Sequence, residues 1–522
     1  MVISHNITEK KYVMSIDVGT TGTRTAIIDE NGHIVSFSYR TNRQYFPAPG
    51  WVEQDPSDLW ENVRTTMKEA ITSRRIDVRD IASAGITNQR ETLIVWDRHT
   101  GRPLYNAIVW QDKRTAPIIK DLDMDISDTI ITTTGLRPDA YFSASKVKWL
   151  LDHVDGLRSR MKAGEAVFGT VDAWIIWNLT YGRKGSRNQK PIFATDHSNA
   201  SRTMIYDISR LRWDHDLMEL FGGIDENSLP QVNPSGSPDA YGHISDNAST
   251  IFEGREISIT SDLGDQQAAL FGQVCFDPGD MKITYGTGTF ALANAGHDIP
   301  RSSARLLKTI FYSLHGGRIN YALEGSILAS GSALRWLENG IHMLGSAKEI
   351  EDAAQRVRSN EGVYFVPAFS GLGSPYWDQD ARGLFIGLTE RTSIDHLARA
   401  ILESEVYMAT DVIRSVEEET GSEITKIKCD GGGSRSDFLM QFQADMANSE
   451  VLIPETSETT VIGSGYLSGL TSGFWTGLNE IRELWRLGRI YRPGMKREER
   501  ERLYVGWREA VKRSMGWASS IR

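Results

Sequence analysis

The sequence predicts a mixed α/β chain of more than one domain, and three observations lead there. Short runs rich in β-branched residues alternate with helical periodicities along the chain. A glycine- and threonine-rich turn joins two such runs near the start, in "SIDVGTTGTR" (Ser15–Arg24), and again near the middle, in "TYGTGTF" (Thr284–Phe290). The length, 522 residues of which 40% are hydrophobic, exceeds what one core comfortably holds.

The elements follow in order. Tyr12–Asp17 and Arg24–Asp29 read as strands joined by Gly19–Thr23. The pair Asn31-Gly32 tolerates positive φ and predicts a second tight turn, which leads into a third strand, His33–Arg40. Asp55 as N-cap and Pro56 at the first helical position open a helix that runs to Ser73. "IASAGITNQ" and "TLIVWD" are strands, "SASKVKWLLDHV" has a helical period, and "VFGTVDAWIIWNLT" reads as strand, turn and helix. The plan restarts with strand, turn and strand over Met281–Gly296, followed by the strand "RINYALEGSI". Helices are expected at Ser332–Asn339 and Ala347–Ser359, and a long one is ended by Gly421. "ITKIKCDGGGSRSDFLMQFQADMA" gives strand, glycine cluster and helix, and "REERERLYVGWREAVKRSMGW" a surface helix. The halves read as one duplicated plan, with domains at 1–260 and 261–522.

Composition narrows the function. A net charge of −10 argues against nucleic acid or an anionic membrane as partner. The two cysteines, Cys275 and Cys429, allow neither a disulfide framework nor a zinc spacing and fit a reducing cytoplasm. The N-terminal stretch lacks the pattern of a signal peptide, and no apolar run reaches the ~18 residues of a membrane span. The basic stretch Tyr181–Pro191 reads as an exposed loop. A soluble protein acting on small molecules is expected.

Several segments carry chemistry. In the opening turn, glycines permit close approach and backbone N–H groups can surround phosphate oxygens. Asp17, at the strand end, suits Mg²⁺, which takes carboxylate and phosphate oxygens; Arg24 suits a phosphoryl oxygen. A plain hairpin with a solvated aspartate is the competing reading. "TYGTGTF" offers the same chemistry through Thr287 and Gly288, and "DGGGSRSDF" (Asp430–Phe438) places a glycine cluster before a helix N-terminus. There is no Gly-Lys dipeptide, hence no Walker A loop, and no kinase His-Arg-Asp loop or His-Glu-x-x-His helix. In "SDLGDQQAALFG" Asp265 stands where a helix starts and can take a hydroxyl proton, unless it is only a cap; Asp262 competes for the role. In "GITNQRETLIVW" Arg90 and Glu91 offer a donor and an acceptor to neighbouring hydroxyls of a polyol, or form an exposed turn. Trp110, Tyr141 and Phe290 suit the C–H face of such a substrate, although a lone aromatic is commonly core.

These stretches, with "PGWVEQDP", "YNAIVWQ", "FGTVDAWIIW", "SNASRTM", "YALEGSI", "VPAFSGLGSPYWD" and "DARGLFIGLT", resemble the FGGY carbohydrate kinases, and within them the glycerol-phosphorylating branch. The resemblance runs from about residue 12 to 510. It implies two actin-like (ribonuclease-H-like) domains with an interdomain cleft, ATP and Mg²⁺ as cofactors, and phosphorylation of glycerol to glycerol 3-phosphate. It implies that Arg90, Glu91, Tyr141, Asp265 and Gln266 bind glycerol, that Asp265 is the base, and that Trp110 and Phe290 line the pocket. Thr20, Thr21 and Arg24 would face the nucleotide phosphates and Asp17 the metal. Thr287, Gly331, Arg335, Gly432 and Ser436 would complete the nucleotide site, and a dimer or tetramer is expected.

Four positions depart from the family pattern. Val18 stands where glutamine is usual, Gly22 where serine is usual, Arg335 in place of a glutamine, and Ser436 in place of an asparagine. "NASTIFEGRE" (Asn247–Glu256) also lacks the glycine-rich basic loop through which some bacterial members bind fructose 1,6-bisphosphate. Another polyol or ketose kinase, or a non-catalytic nucleotide-sensing actin-like protein, are the alternative readings.

Overall fold

The computed structural model describes residues 10–181, 190–245, 252, 255–286, 288–300, 305–327, 331–340 and 344–521. Most of the basic stretch Tyr181–Pro191, most of Asn247–Glu256, and Thr287 lie outside them.

The opening meander forms as its sequence predicts. β1 (Tyr12–Val18), β2 (Gly22–Asp29) and β3 (Ile34–Thr41) pair antiparallel in order. Gly32 takes φ +76° in the second turn. The helix Pro56–Thr72 is capped by Asp55, whose carboxylate accepts from Ser57 N, and it buries Leu59, Val63, Met67 and Ala70. Beside β1 lies Ile81–Asn88, and beside that Ile257–Gly264; both pairings are parallel. With His243–Ile244 at one edge and β3 at the other they make a six-stranded sheet.

The register sets where chemistry can occur. Val18 and Gly264 both stand level with Asn88, so three parallel strands end along one line. Past that line lie the Gly19–Thr21 turn, the Arg90-Glu91 pair and the helix Asp265–Gly272.

The second unit repeats the plan. Met281–Tyr285 pairs antiparallel with Thr289–Gly296 and parallel with Lys426–Gly431. Glu450–Pro454 and Leu487–Tyr491 extend the sheet. The long helix Ile394–Thr420 ends at Gly421, which has φ +67°. The glycine cluster forms a 3₁₀ turn, Gly432–Arg435, before the helix Asp437–Ala447. The stretch expected as a helix over Ser332–Asn339 is instead a short helix, Gly331–Arg335, followed by a wider π turn, Trp336–Gly340. The C-terminal helix Arg497–Ser514 is amphipathic and buries Leu503, Tyr504, Trp507 and Val511.

A single division at 260/261 does not describe the two compact units. The first comprises Met1–Val274, Lys308–Tyr321 and Glu458–Trp485, and the second the remainder. The physical reason lies in the helix Thr459–Ser472. Its residues from Val461 to Gly469 are all buried, so it has no solvent face to show and must be covered. It packs against β1, Ile81–Asn88 and the helix Asp265–Gly272. Glycines permit that approach: a Cβ on Gly463 would overlap the Ala268 carbonyl, and one on Gly85 would overlap the Ser464 carbonyl. Among the described residues no helix is long and apolar enough to cross a membrane. Both cysteines are buried thiols.

Gly463→Ala tests this packing. Alanine favours a helix by about 1 kcal/mol, but the added methyl meets backbone, which no rotamer change relieves, and overpacking costs about 1–3 kcal/mol. A lower melting midpoint is expected in a thermal scan; a midpoint at or above that of the parent protein would refute the close approach.

Candidate functional site

Asp17 is the last residue but one of β1, paired across to Arg24 on β2. Its carboxyl is almost wholly buried, and one of its oxygens, Oδ1, has no hydrogen-bond partner among the described residues. Arg24 Nε lies 3.5 Å from Asp17 Oδ2, and Arg24 Nη1 lies 3.2 Å from Glu458 Oε2. Burial pushes the Asp17 carboxyl up to about 7, against the pull of Arg24. A buried carboxylate oxygen with no partner fits a divalent cation, since ionisation would then be compensated. Among the described residues no group of three or more His, Cys, Asp or Glu side chains could hold a metal ion by itself.

The turn after Asp17 has its acceptors engaged by the protein. The Gly19 carbonyl accepts from Asn42 Nδ2 at 2.7 Å and the Thr20 carbonyl from Gln54 Nε2 at 2.8 Å. The Thr21 carbonyl accepts from Asn42 N at 3.0 Å. Trp110 Nε1 donates to Thr20 Oγ1 at 2.8 Å. An indole N–H only donates, so the Thr20 hydroxyl proton is left to point elsewhere. Thr21 is exposed. What the turn offers outward is therefore donor in character, as an anion requires.

Arg90 and Glu91 follow the strand Ile81–Asn88 and are buried, not on an exposed turn. Glu91 has φ +61°, a left-handed conformation that costs a branchless acid side chain of the order of 1 kcal/mol. It is held there on two sides: Arg202 Nε donates to Glu91 Oε1 at 2.6 Å, and Ser143 Oγ donates to its carbonyl at 3.1 Å. Arg90 Nη1 donates to Gln267 Oε1 at 3.2 Å, and its Nε lies 3.2 Å from Asp265 Oδ1. Gly264 lets Arg90 pass, because a Cβ there would fall 2.7 Å from Arg90 Cγ and Cδ.

Asp265 is the first residue of its helix; Gly264 is the N-cap. Its side chain is 26% exposed while that of Arg90 is 2%, so the carboxylate reaches an opening from a buried cation. Asp262 does the opposite. It is fully buried, and burial together with Asp172 and Asp196 pushes it well above the carboxylate range. Burial thus favours the protonated form of Asp262 inside the unit.

Trp110 and Tyr141 meet edge to face with centroids 5.5 Å apart, and Arg202 lies 5.5 Å from the Tyr141 ring. The first unit thus gathers Asp17, Thr20, Thr21, Arg24, Arg90, Glu91, Trp110, Tyr141, Asp265 and Gln266. Gln266 follows Asp265 on the helix, its N–H donating to Asp265 Oδ1 at 2.7 Å. Phe290, Gly331, Arg335, Gly432 and Ser436 belong to the second unit. There Tyr285 and Gly431 stand level on parallel strands, so the turns that follow them share one sheet end. Ser436 caps the helix after the glycine cluster by accepting from Leu439 N, and its hydroxyl donates to Glu351 Oε1 at 2.9 Å.

Sequence reasoning missed the residues that hold others in place. Arg202 grips Glu91, Gln267 grips Arg90, Glu458 grips Arg24, and Gln54 and Asn42 tie the Gly19–Thr21 turn. Arg202 and Gln54 sit inside stretches that carry the resemblance, "SNASRTM" and "PGWVEQDP"; Glu458 lies 434 residues from its partner and left no local signal.

Comparison with known proteins adds to this geometry. Residues 12–272 match the N-terminal domain of the FGGY family of carbohydrate kinases and residues 281–471 its C-terminal domain. The chain is 50% identical to glycerol kinase 2 of Thermotoga maritima, over 97% of this chain and 99% of that protein. It is 48% identical to the glycerol kinase of Thermococcus onnurineus, over 98% and 99%. Its structure resembles that of Plasmodium falciparum glycerol kinase with ADP, with TM-score 0.87, 34% identity, and coverage of 96% of this chain and 98% of that one. A gluconate kinase from Lactobacillus acidophilus shares the fold at TM-score 0.83 and 22% identity.

The raised Asp17 carboxyl makes a pH-dependent prediction. Its protonated form suits the fold, and that stability is lost as pH rises from the ordinary carboxylate range through about 7. Each pKa unit is worth about 1.4 kcal/mol, so the cost is of the order of a few kcal/mol. Asp17→Asn mimics the protonated form. In chelator-treated protein its melting midpoint should gain on the parent's between about pH 5 and pH 8. A difference that does not change with pH would sink the assignment.

Proposed function

From the premise that the chain belongs to the FGGY family of carbohydrate kinases, we propose that it is a glycerol kinase, transferring the terminal phosphoryl group of ATP to glycerol. The observation that carries this reading is identity near one half with glycerol kinases along almost the whole of both chains. The buried Arg90-Glu91 pair beside Asp265 supports it, because it offers a donor and an acceptor to neighbouring hydroxyls next to a carboxylate. A site built to bond hydroxyls rejects molecules that leave its polar groups unpaired.

The proposed chemistry assigns each group one task. Arg90 and Glu91 bind two hydroxyls and orient the third toward Asp265. Asp265 takes the proton of that terminal hydroxyl as its oxygen forms the bond to the γ-phosphorus. The bond from that phosphorus to the bridging oxygen breaks in line, and ADP leaves with its electron pair. The salt link to Arg90 keeps Asp265 ionised and aimed. The Gly19–Thr21 turn and Arg24 receive the terminal phosphates, and Gly331, Arg335, Gly432 and Ser436 serve the rest of the nucleotide. Mg²⁺ would be held through Asp17 and would neutralise phosphate charge when bound. A cytoplasmic setting follows from ATP as substrate and fits the two free thiols.

Two measurements test the proposal. With Mg·ATP and a panel of glycerol, xylulose, gluconate and other polyols, ADP release should be fastest by far with glycerol; a ketose or an acid sugar winning would overturn the substrate. Asp265→Asn should keep its melting midpoint and lose about 10²–10⁴-fold in kcat, the span of general-base catalysis. Near-normal kcat in that variant would mean another group takes the proton.

A further inference from the structure

We propose that Gln54 is a positioning residue for phosphoryl transfer: through Gln89 and Thr92 it locks the Gly19–Thr21 turn to the Arg90-Glu91 pair and to Trp110, so that one rigid part holds both phosphates and polyol. This rests on the kinase reading above, which gives the turn to phosphate and the pair to hydroxyls.

The link is an unbroken chain of hydrogen bonds. Trp110 N donates to Thr92 Oγ1 at 3.2 Å, and Thr92 Oγ1 donates to Gln89 Oε1 at 3.1 Å. Gln89 Nε2 donates to Gln54 Oε1 at 2.7 Å, and Gln54 Nε2 donates to the Thr20 carbonyl at 2.8 Å. The direction is forced from both ends. A backbone N–H can only donate and a backbone carbonyl can only accept, so each amide between them has one orientation that works. The chain also closes on itself, because Trp110 Nε1 donates to Thr20 Oγ1 at 2.8 Å. Thr20 is thus held at its carbonyl and at its side chain by the two ends of one circuit that starts from Trp110.

The circuit is anchored where the site needs it. Gln89 and Thr92 flank the Arg90-Glu91 pair, and the left-handed conformation at Glu91 turns the chain so that their side chains meet. Gln89 N also donates to the Val18 carbonyl at 2.9 Å, just before the turn. Gln54 stands on the short strand Glu53–Gln54, which pairs with Ala107–Ile108 and is thereby fixed through its backbone. Gln54, Gln89 and Thr92 are wholly buried. A buried polar network with its members engaged makes what it joins rigid, whereas one broken link leaves a buried group unsatisfied. Asn42 holds the Gly19 carbonyl independently, so loss of Gln54 loosens the turn without releasing it.

The first arm of the test is the parent protein with Mg·ATP and glycerol, which judges the kinase reading itself. The second is Gln54→Met, which keeps the length of the side chain and removes both of its bonds. We expect kcat/KM for Mg·ATP to fall about ten- to a hundredfold, as for a misplaced reactant, while KM for glycerol stays within about twofold. A packing residue would instead lower the melting midpoint alone or weaken both substrates alike, and either result overturns the proposal. Gln89→Met breaks the same chain one link further on. Gln54→Met/Gln89→Met should therefore lose no more than the worse single variant, and losses that multiply overturn the link. If Gln54→Met does not fold, Thr92→Val, which keeps its shape without the hydroxyl, decides in its place by the same split between the two substrates. If the parent phosphorylates no polyol, the kinase reading fails. Calorimetric affinity for a non-hydrolysable ATP analogue then decides on Gln54: weaker binding in Gln54→Met supports it, and equal binding, or none in either protein, overturns it.

Discussion

Everything in the first unit depends on three parallel strands stopping at one line. Val18, Asn88 and Gly264 are level in the sheet, and each strand hands its next residues to the same edge. That one register collects a carboxylate and a glycine-threonine turn from β1, a buried charge pair from Ile81–Asn88, and a helix-borne carboxylate from Ile257–Gly264. A slip of one residue in any strand would turn its side chains to the other face. Close packing guards the register: the helix Thr459–Ser472 meets the helix Asp265–Gly272 at Gly463 and the sheet at Gly85, where backbone approaches backbone.

Charge is buried at this edge with a specific economy. Arg90, Arg202 and Glu91 are nearly inaccessible, and isolated charges there would be costly. Each is bound to the next, from Arg202 to Glu91 and from Arg90 to Asp265, so the chain of partners ends on the one carboxylate that reaches an opening. Asp172, Asp196 and Asp262 lie deeper, and there burial wins: Asp196 is raised to about 6 and Asp262 well beyond the carboxylate range. The same residue type is thus partly exposed beside Arg90 at 265 and fully buried at 262, three residues away. Partners and exposure, not sequence position, separate the two.

Asp17 stands between these cases. It is buried, it has Arg24 beside it, and one oxygen is unpartnered. A group in that condition ionises more readily when positive charge arrives.

By itself the sequence determined the α/β class, the duplicated plan, the family, and which short stretches carry chemistry. Those signals are local: alternation of β-branched residues, Asp55-Pro56 at a helix start, glycine clusters after strands, charged pairs between apolar runs. Asp265 and Arg90-Glu91 were legible because their neighbours in the chain are so unlike them. Only the tertiary structure decided what depends on partners far apart in the chain. It showed that Asp262 is buried, that Glu91 is held by Arg202 and Arg24 by Glu458, and that a late helix belongs with the first sheet. A Cβ on Gly85 would overlap the Ser464 carbonyl, and a contact between a strand and a helix so far apart in the chain is invisible until the two are packed.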